Sequence, residues 1–427
     1  MILAVKVADY VCGQSVRLSA MARTSGDAVR RRPKDRKAQI ARASAEAFSA
    51  LGYHGVSMDA IAARVGISAA ALYRHYSSKY ELFRDAVLNL GQQLVDCTAF
   101  ADEDADDPQA TLRRLVAALT DTALASRESG GLYRWEARYL RGDDQATLNS
   151  QLRTVHRRIQ RPLMVIRPEL TPRQRWILST SALSVIGSIV DHRAKLPAVS
   201  IRALLAELAA AMLAAELTNL PDAAETPTPG AVAESSKYEA LLTESMLLFN
   251  QKGYRDTSME DIAAAVGMSA SGIYRYFSGK SDILAAAFRR AADRLSAELT
   301  SILSATPDRE DALTTVIDAY VARSFDHPEL DYVYYTDRLN MSPADQTILR
   351  NMQRSTVESW MELVASIRPE WTSGQARFAV HAAMALVIDM GRLMHYENTA
   401  RSRAVVARLL DLTLLGRYRL RTTLPAK

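Results

Sequence analysis

The sequence predicts an all-α protein built from two similar units, and three observations support this prediction. Apolar residues recur with helical spacing along most of the chain, whereas runs of β-branched residues are scarce. Hydrophobic residues make up 48% of the chain and charged residues 24%, which is typical of an ordinary globular protein. The stretch 57–79 also occurs a second time at 258–280, so the chain carries an internal duplication.

The stretch SMDAIAARVGISAAALYRHYSSK, residues 57–79, has the pattern of two short helices joined by a tight turn. The apolar positions of its first helix follow the spacing i, i+3, i+4, i+7: Met58, Ile61, Ala62 and Val65. Ser57 and Ser68 are suitable N-caps, and Gly66 can end the first helix in the left-handed conformation. Leu72 and Tyr76 are the expected buried residues of the second helix. This pattern predicts a helix-turn-helix, which places its second helix in the DNA major groove.

The duplication extends beyond this motif. Residues 57–82 and 258–283 match without a gap at an offset of 201, and 13 of the 26 positions are identical. IRPELTPRQ at 166–174 and IRPEWTSGQ at 367–375 share the same offset, as do Tyr133 and Tyr334. We therefore interpret the whole chain as two units, and we predict these segments: a basic arm over 1–34, a first head over 35–80, a first body over 81–217, a linker over 218–235, a second head over 236–281 and a second body over 282–420.

Helix 1 of the first unit is expected to bury one face: Ile40, Ala43, Ala47, Phe48 and Leu51. The first body should contain helices near 109–126, 132–160 and 171–193. The 15 uncharged residues from Trp176 to Val190 are too few for a membrane span, which takes about 20. We expect this helix to lie against a partner helix, with Ser184, Gly187 and Ser188 permitting close approach. Together with 201–217 it should pack on 378–418.

Each half resembles the DNA-binding head of TetR-type repressors. The resemblance rests on an amphipathic helix that is followed by GY and then by the pattern SM…IA…VGIS…LYRHY…K…L. The resemblance covers about fifty residues in each half. RRRPKDRKAQI followed by ALYRHY, with two units in one chain, is similar to actinobacterial tandem TetR repressors of mammalian-cell-entry (lipid-import) operons. This resemblance implies a repressor of transcription that is released from its operator by a small effector.

We expect DNA contacts from both heads. Ser57 and Ser258 can offer hydroxyl and N–H groups to phosphate, and the resemblance implies phosphate contacts from the tyrosine and lysine of each head. Alanine in the groove can touch only thymine methyls, so we expect few base-specific contacts from these positions. The alternative is that the tyrosines belong to the core. The predicted contacts within the heads are Ser57, Ser68, Ala69, Ala70, Tyr73, Arg74, Lys79, Ser258, Ser269, Ala270, Ser271, Tyr274, Arg275 and Lys280.

Residues 21–37 contain seven basic residues and two acidic ones, an excess that equals the formal net charge of the chain, +5. Such arms bind phosphates or enter the minor groove, and the second unit has no counterpart. We expect DNA contacts from Arg30, Arg31, Arg32 and Lys34; the alternative is a solvated charge run. The apolar segment 1–13 lacks the basic start of a signal peptide.

Aromatic and Met residues of the bodies are the candidate effector contacts, although such residues more often belong to the core: Tyr133, Trp135, Trp176, Tyr334, Trp360, Phe378, Met384 and Met394. The lack of charges in the predicted interior favours an apolar ligand, and the operon resemblance points to a lipid or sterol metabolite. No enzyme, cofactor or metal motif is present. Two cysteines, Cys12 and Cys97, do not form a disulfide framework, which favours a cytoplasmic protein.

With both heads on one chain, we expect an intramolecular pseudo-dimer that binds an operator with two unlike half-sites as a monomer and has no membrane partner. Two other classes of protein stay open: an architectural DNA-binding protein without an effector, and a helical lipid carrier or enzyme.

Deletion of residues 1–34 should weaken DNA binding and lower its salt dependence, because the arm carries the excess positive charge. Titrations of duplex DNA at several salt concentrations measure both effects, with circular dichroism as the control for folding. Unchanged affinity would show that the arm is only a solvated tail.

Overall fold

The structure is a computed structural model that describes residues 33–103, 106–217 and 237–417. Every regular element within these ranges is helical, which confirms the predicted all-α class with two units. The arm residues Arg30, Arg31 and Arg32 and the linker 218–235 lie outside the described residues. The predicted head–body boundaries stay predictions, since one helix in each unit runs across them.

The first unit contains eight α-helices among the described residues: α1 Pro33–Gly55, α2 Met58–Val65, α3 Ala69–Tyr73, α4 Lys79–Cys97, α5 Pro108–Ala125, α6 Gly142–Ile166, α7 Pro172–Gly187 and α8 Ala198–Ala214. The second unit contains nine: α9 Lys237–Lys252, α10 Met259–Ala265, α11 Ala270–Ile273, α12 Lys280–Ala305, α13 Arg309–Asp326, α14 Pro328–Asp337, α15 Pro343–Ile367, α16 Ser373–Leu393 and α17 Ala400–Leu415.

Helix α1 buries Ile40, Ala47 and Phe48 as expected, but the prediction for Leu51 was wrong. Leu51 is 52% exposed. The ring of Tyr53 stacks on Phe48, with the ring centroids 6.1 Å apart. The backbone also leaves the helical path at Gly52, where φ is 71°.

The predicted continuous helix over 132–160 was also wrong. Leu132–Glu136 forms one wide turn, Ala137–Tyr139 forms a 3₁₀ turn, and Leu140 is extended before α6 begins at Gly142. This break lets the chain turn inward, so that Trp135 and Glu136 are both buried between the units. Periodicity alone could not reveal the break, because the flanking residues keep helical spacing.

Four helices join the two units. Helices α7 and α8 of the first unit pack against α16 and α17 of the second, as the sequence predicted. The buried residues of α8 are almost all apolar: Ile201, Leu204, Leu205, Leu208, Ala209, Met212 and Leu213. Such a surface is unstable in water, since full burial of one Leu side chain contributes about 1.5–3 kcal/mol. The units therefore form one pseudo-dimer within the chain.

A buried ion-pair cluster also joins the units. The guanidinium of Arg134 lies 3.2 Å from the Asp191 carboxylate and 3.0 Å from that of Asp389 in the other unit. Trp135 donates its indole N–H to Asp191 at 2.7 Å. A Cβ on Gly187 would lie 2.7 Å from Arg134 Nη1. The lack of a side chain at Gly187 therefore leaves space for the guanidinium of Arg134, and not for the close approach of a partner helix.

Replacement of Arg134 by Met should lower the free energy of unfolding by about 3–5 kcal/mol, because two buried carboxylates lose their cation. Arg202→Met is the matched control, since its pair with Asp121 is exposed and such pairs contribute about 0–1 kcal/mol. Urea unfolding followed by circular dichroism measures both variants. Equal destabilisation of the two would contradict a structural role for the buried cluster.

Candidate DNA interface and effector cavities

The first helix-turn-helix forms as its caps and apolar spacing predict. The Ser57 hydroxyl accepts a hydrogen bond from Ala60 N, and Gly66 ends α2 with φ 69°. The Ser68 hydroxyl caps α3 by accepting a bond from Ala71 N. Leu72 and Tyr76 are buried beneath α3, so the opposite side of this short helix faces solvent.

The predicted groove-facing side chains lie on that exposed side. Tyr73 is 52% exposed and Tyr274 is 54% exposed, so neither tyrosine is a core residue. Within the described residues, neither hydroxyl forms a hydrogen bond, and Arg74 and Arg275 are likewise exposed without a bond. The small residues of both recognition helices are exposed or half-buried: Ala69, Ala70, Ala270 and Ser271.

The two heads differ at the N-terminus of their second helix. Ser57 uses its hydroxyl as a cap, and α2 has no acidic residue at the third helical position. In the second head, the Asp261 carboxylate accepts bonds from both the N–H and the hydroxyl of Ser258, each at 2.8 Å. Asp261 thus occupies the N–H and the hydroxyl proton of Ser258, and a phosphate contact at this helix start stays a prediction.

Lys79 and Lys280 tie the turn before each helix-turn-helix to the helix after it. Lys79 Nζ donates to Val56 O at 3.1 Å, and Lys280 Nζ donates to Tyr254 O at 2.6 Å and Thr257 O at 2.5 Å. Burial is the main cause that lowers the pKa of both ammonium groups. Each lysine is only half-buried, so a phosphate contact can add to this structural role.

Ser269 caps α11 by accepting a bond from Gly272 N, and its hydroxyl also contacts Ser271 Oγ at 3.0 Å. The backbone of Lys34 belongs to α1.

A carboxylate of the first body binds the turn at Tyr53, near the end of α1 in the first head. The backbone N–H of Tyr53 donates to the Glu136 carboxylate at 2.7 Å, and burial raises the pKa of Glu136. At the equivalent position of the second unit, Asp337 instead forms an ion pair with Arg138 of the first unit at 3.1 Å. The two acidic residues thus fasten the first head and the unit interface, respectively.

A cavity of about 580 Å³ lies between the units. Trp135 and Tyr335 form part of its lining, stacked at 4.2 Å across the interface. His192 and His381 stack at 4.0 Å on another side, and burial lowers the pKa of His381 to about 4.

A second cavity of about 140 Å³ lies in the body of the second unit. Its lining is mainly apolar and includes Phe288, Leu295 and Met384, together with the buried carboxyl of Asp331. Burial raises the pKa of Asp331, and its Oδ2 has no hydrogen-bond partner among the described residues. The two cavities share four lining residues: Tyr334, Tyr335, Leu349 and Gln353.

The candidate effector residues divide into cavity and core residues. Tyr334 lines both cavities, Trp135 the larger and Met384 the smaller, whereas Met394 lines a separate groove near Arg401. The remaining candidates line none of these three cavities. Trp360 and Phe378 are fully buried in the core, Trp176 is 38% exposed beside His156, and Tyr133 packs under the first head.

The expectation of an interior without charges was wrong. Arg134, Asp191, Arg158 and Asp337 are all largely buried in ion pairs. Sequence reasoning missed the arginines that the second unit contributes to the larger cavity, Arg338, Arg350, Arg354 and Arg377. Comparison of the halves at the offset of 201 could have revealed three of them, since the first unit has Ala137, Asn149 and Trp176 there.

The described residues contain no group of three or more His, Cys, Asp or Glu side chains that could hold a metal ion. Of the helices described, none combines the length and apolarity needed to cross a bilayer.

Both heads match one family model, described as "Bacterial regulatory proteins, tetR family", over residues 40–86 and 241–287. The chain is 38% identical over 92 residues to the "HTH-type transcriptional activator FasR" of Mycolicibacterium smegmatis, a match that covers 21% of this chain and 42% of FasR, less than half of that relative. It is 23% identical over 163 residues to the Transposon Tn10 TetC protein of Escherichia coli, covering 38% of this chain and 71% of TetC.

Among solved structures, a TetR-family transcriptional regulator from Bordetella parapertussis covers 42% of this chain and 95% of its own, with 19% identity and a TM-score of 0.37. The two matches to the family model lie at the same offset of 201 as the repeat in the sequence. Each of the two heads is thus similar to bacterial regulatory proteins of the tetR family, and the two heads lie in tandem in one chain.

Proposed function

We propose that this protein is a transcriptional repressor that binds double-stranded operator DNA in the cytoplasm and leaves it when an effector binds. The observation that carries the proposal is the pair of exposed recognition helices, α3 and α11, on two units joined by one buried interface. FasR is named an activator, and loss of target transcription on deletion of the gene would favour that role here. The sequence resemblance supports lipid-import genes as targets.

We further propose that one chain binds one operator with two unlike half-sites. The helices that pair two chains in a dimer are here already covered by each other within the chain. The heads also present different surfaces, because Asp261 places a carboxylate where the first head has Ala60. Two identical half-sites would not suit both surfaces equally well.

The effector proposal is supported by the smaller cavity. Its lining by Phe288, Leu295 and Met384 favours an apolar group, and the unpaired Oδ2 of Asp331 can bond a hydroxyl. A cavity of about 150 Å³ accommodates a molecule of the size of benzene. A lipid or sterol must therefore extend beyond the 140 Å³ of this cavity, and the larger cavity lies next to it.

An architectural DNA-binding protein without an effector is the second candidate. Such a protein would have no use for the two neighbouring cavities, and DNA binding that no ligand changes would support this candidate. The lipid-carrier or enzyme alternative has less support, since the curated relatives reported above are named for regulation or for a transposon.

Replacement of Lys79 or Lys280 by Gln should reduce the slope of log affinity against log salt by roughly 0.9 each, because one phosphate contact loses its charge. Glutamine keeps an N–H donor for the carbonyl groups that the lysines bind. Titrations of operator and random duplexes at several salt concentrations give the slope, and both duplexes should be weakened alike.

Tyr73→Phe and Tyr274→Phe are the matched controls. Each should weaken binding by about 2- to 12-fold through one lost neutral hydrogen bond, and leave the slope unchanged. A slope that stays constant in the lysine variants, or that changes in the tyrosine variants, would contradict these phosphate assignments.

A further inference from the structure

One side of the larger cavity carries uncompensated positive charge. Four arginines of the second unit line it, here called the arginine cluster: Arg338, Arg350, Arg354 and Arg377. In the described part of the chain, none of the four forms an ion pair with a carboxylate. Arg338 donates to Tyr335 O at 2.9 Å, and Arg350 and Arg354 donate to Thr347 Oγ1 and Asn351 Oδ1, both at 3.0 Å.

The carboxylates that also line the cavity do not neutralise the arginine cluster. Asp191 is held by Arg134 and Trp135, and Glu136 accepts the N–H of Tyr53. Glu358 is the third acidic lining residue, and its carboxylate lies more than 4.0 Å from every arginine of the cluster. The cavity thus offers an anion several guanidinium groups, the side chains that best bind carboxylate and phosphate.

The first unit contributes a buried polar group to the same cavity. His192 is 7% exposed, and its Nε2 has no hydrogen-bond partner among the described residues. A buried nitrogen without a partner is costly, and a ligand in the cavity can provide the missing bond. Burial holds the pKa of His192 well below its ordinary value, and its Nδ1 accepts the N–H of Ala194 at 3.2 Å, so the neutral ring offers Nε2–H as a donor.

The arginine cluster occurs once per chain. At the offset of 201, Ala137, Asn149 and Trp176 replace Arg338, Arg350 and Arg377, and only Arg354 has a counterpart, Arg153. The position equivalent to Tyr335 is Arg134. The guanidinium of Arg134 already pairs with one carboxylate from each unit.

The smaller, apolar cavity lies next to the larger one, and Tyr334, Tyr335, Leu349 and Gln353 line both. A molecule that fills both would place its apolar body near Met384 and its other end near the arginines.

We propose that the effector is an amphipathic anion, with an apolar body in the smaller cavity and a carboxylate or phosphate group bound by the arginine cluster. The inference rests on the proposed release by an effector and specifies its chemical class. It changes the expectation of a purely apolar ligand. One molecule binds per chain, since the first unit lacks the cluster.

The position of the larger cavity explains how such a ligand reaches the DNA heads. Ser49 and Ala50 of α1 belong to its lining, and Glu136, which holds the turn at Tyr53, lies beside them. A ligand bound here therefore touches the first head directly, and also Arg338 and Leu339 next to the Arg138–Asp337 ion pair. Occupancy can change the position of the first head relative to the second.

Calorimetric titration of the full chain with decanoate, decyl phosphate and decanol tests the proposal, because the three probes share one chain and differ in the head group. Both anions should bind at one molecule per chain, at least about tenfold more tightly than decanol. The tighter anion identifies the head group as carboxylate or phosphate. Equal affinity for all three probes, or two molecules per chain, would overturn the proposal.

The double substitution Arg350→Asn with Arg377→Gln removes two cluster charges. It should weaken binding of the anions by about 100-fold, whereas affinity for decanol stays the same and shows that the fold is intact. Arg153→Asn, at the position equivalent to Arg354, is the control and should change nothing. Anion affinity that is the same in the double variant and the original chain would overturn the assignment.

Release from DNA is measured separately with the same probes. Anion binding at the cluster without release of DNA would contradict the proposed repressor function but leave the site in place. Release of DNA that the double variant does not weaken would contradict the site but leave the function in place.

Discussion

The packing of α7 and α8 on α16 and α17 is the interaction on which the rest of the structure depends. These helices expose too much apolar surface to exist alone, and the two units of one chain cover each other. Arg134 adds a buried charge that pairs with a carboxylate from each unit, Asp191 and Asp389. This interface fixes the two heads relative to one another and encloses the larger cavity.

Duplication within one chain has let the halves diverge, which the identical subunits of a homodimer cannot do. Asp261 occupies the start of one recognition unit, whereas Ala60 leaves the other open. The arginine cluster belongs to the second unit, and the first contributes His192 and Trp135 to the same cavity. These differences between the halves are consistent with the proposed single effector site, with two unlike DNA-binding surfaces, and with a change in the position of one head when the effector binds.

The sequence predicted the elements that depend on local chemistry. Caps at Ser57 and Ser68, the turn at Gly66 and the buried Leu72 follow from spacing and backbone preference, and the offset of 201 indicated the pseudo-dimer. What failed depends on contacts far apart in the chain. Leu51 is exposed just before the backbone leaves the helical path at Gly52, and buried arginines find partners that no local pattern shows. Cavities arise from packing, so only a few of their residues, such as Tyr334, Trp135 and Met384, could be named in advance.

The central claim is that one chain provides both DNA-binding surfaces. Light scattering on the complex with an operator defined by footprinting measures it most directly, with the same operator after inversion of one half-site as the comparison. We expect a mass of one chain per duplex and loss of that complex on inversion. Two chains per duplex, or equal binding to a perfect palindrome of either half-site, would contradict the claim.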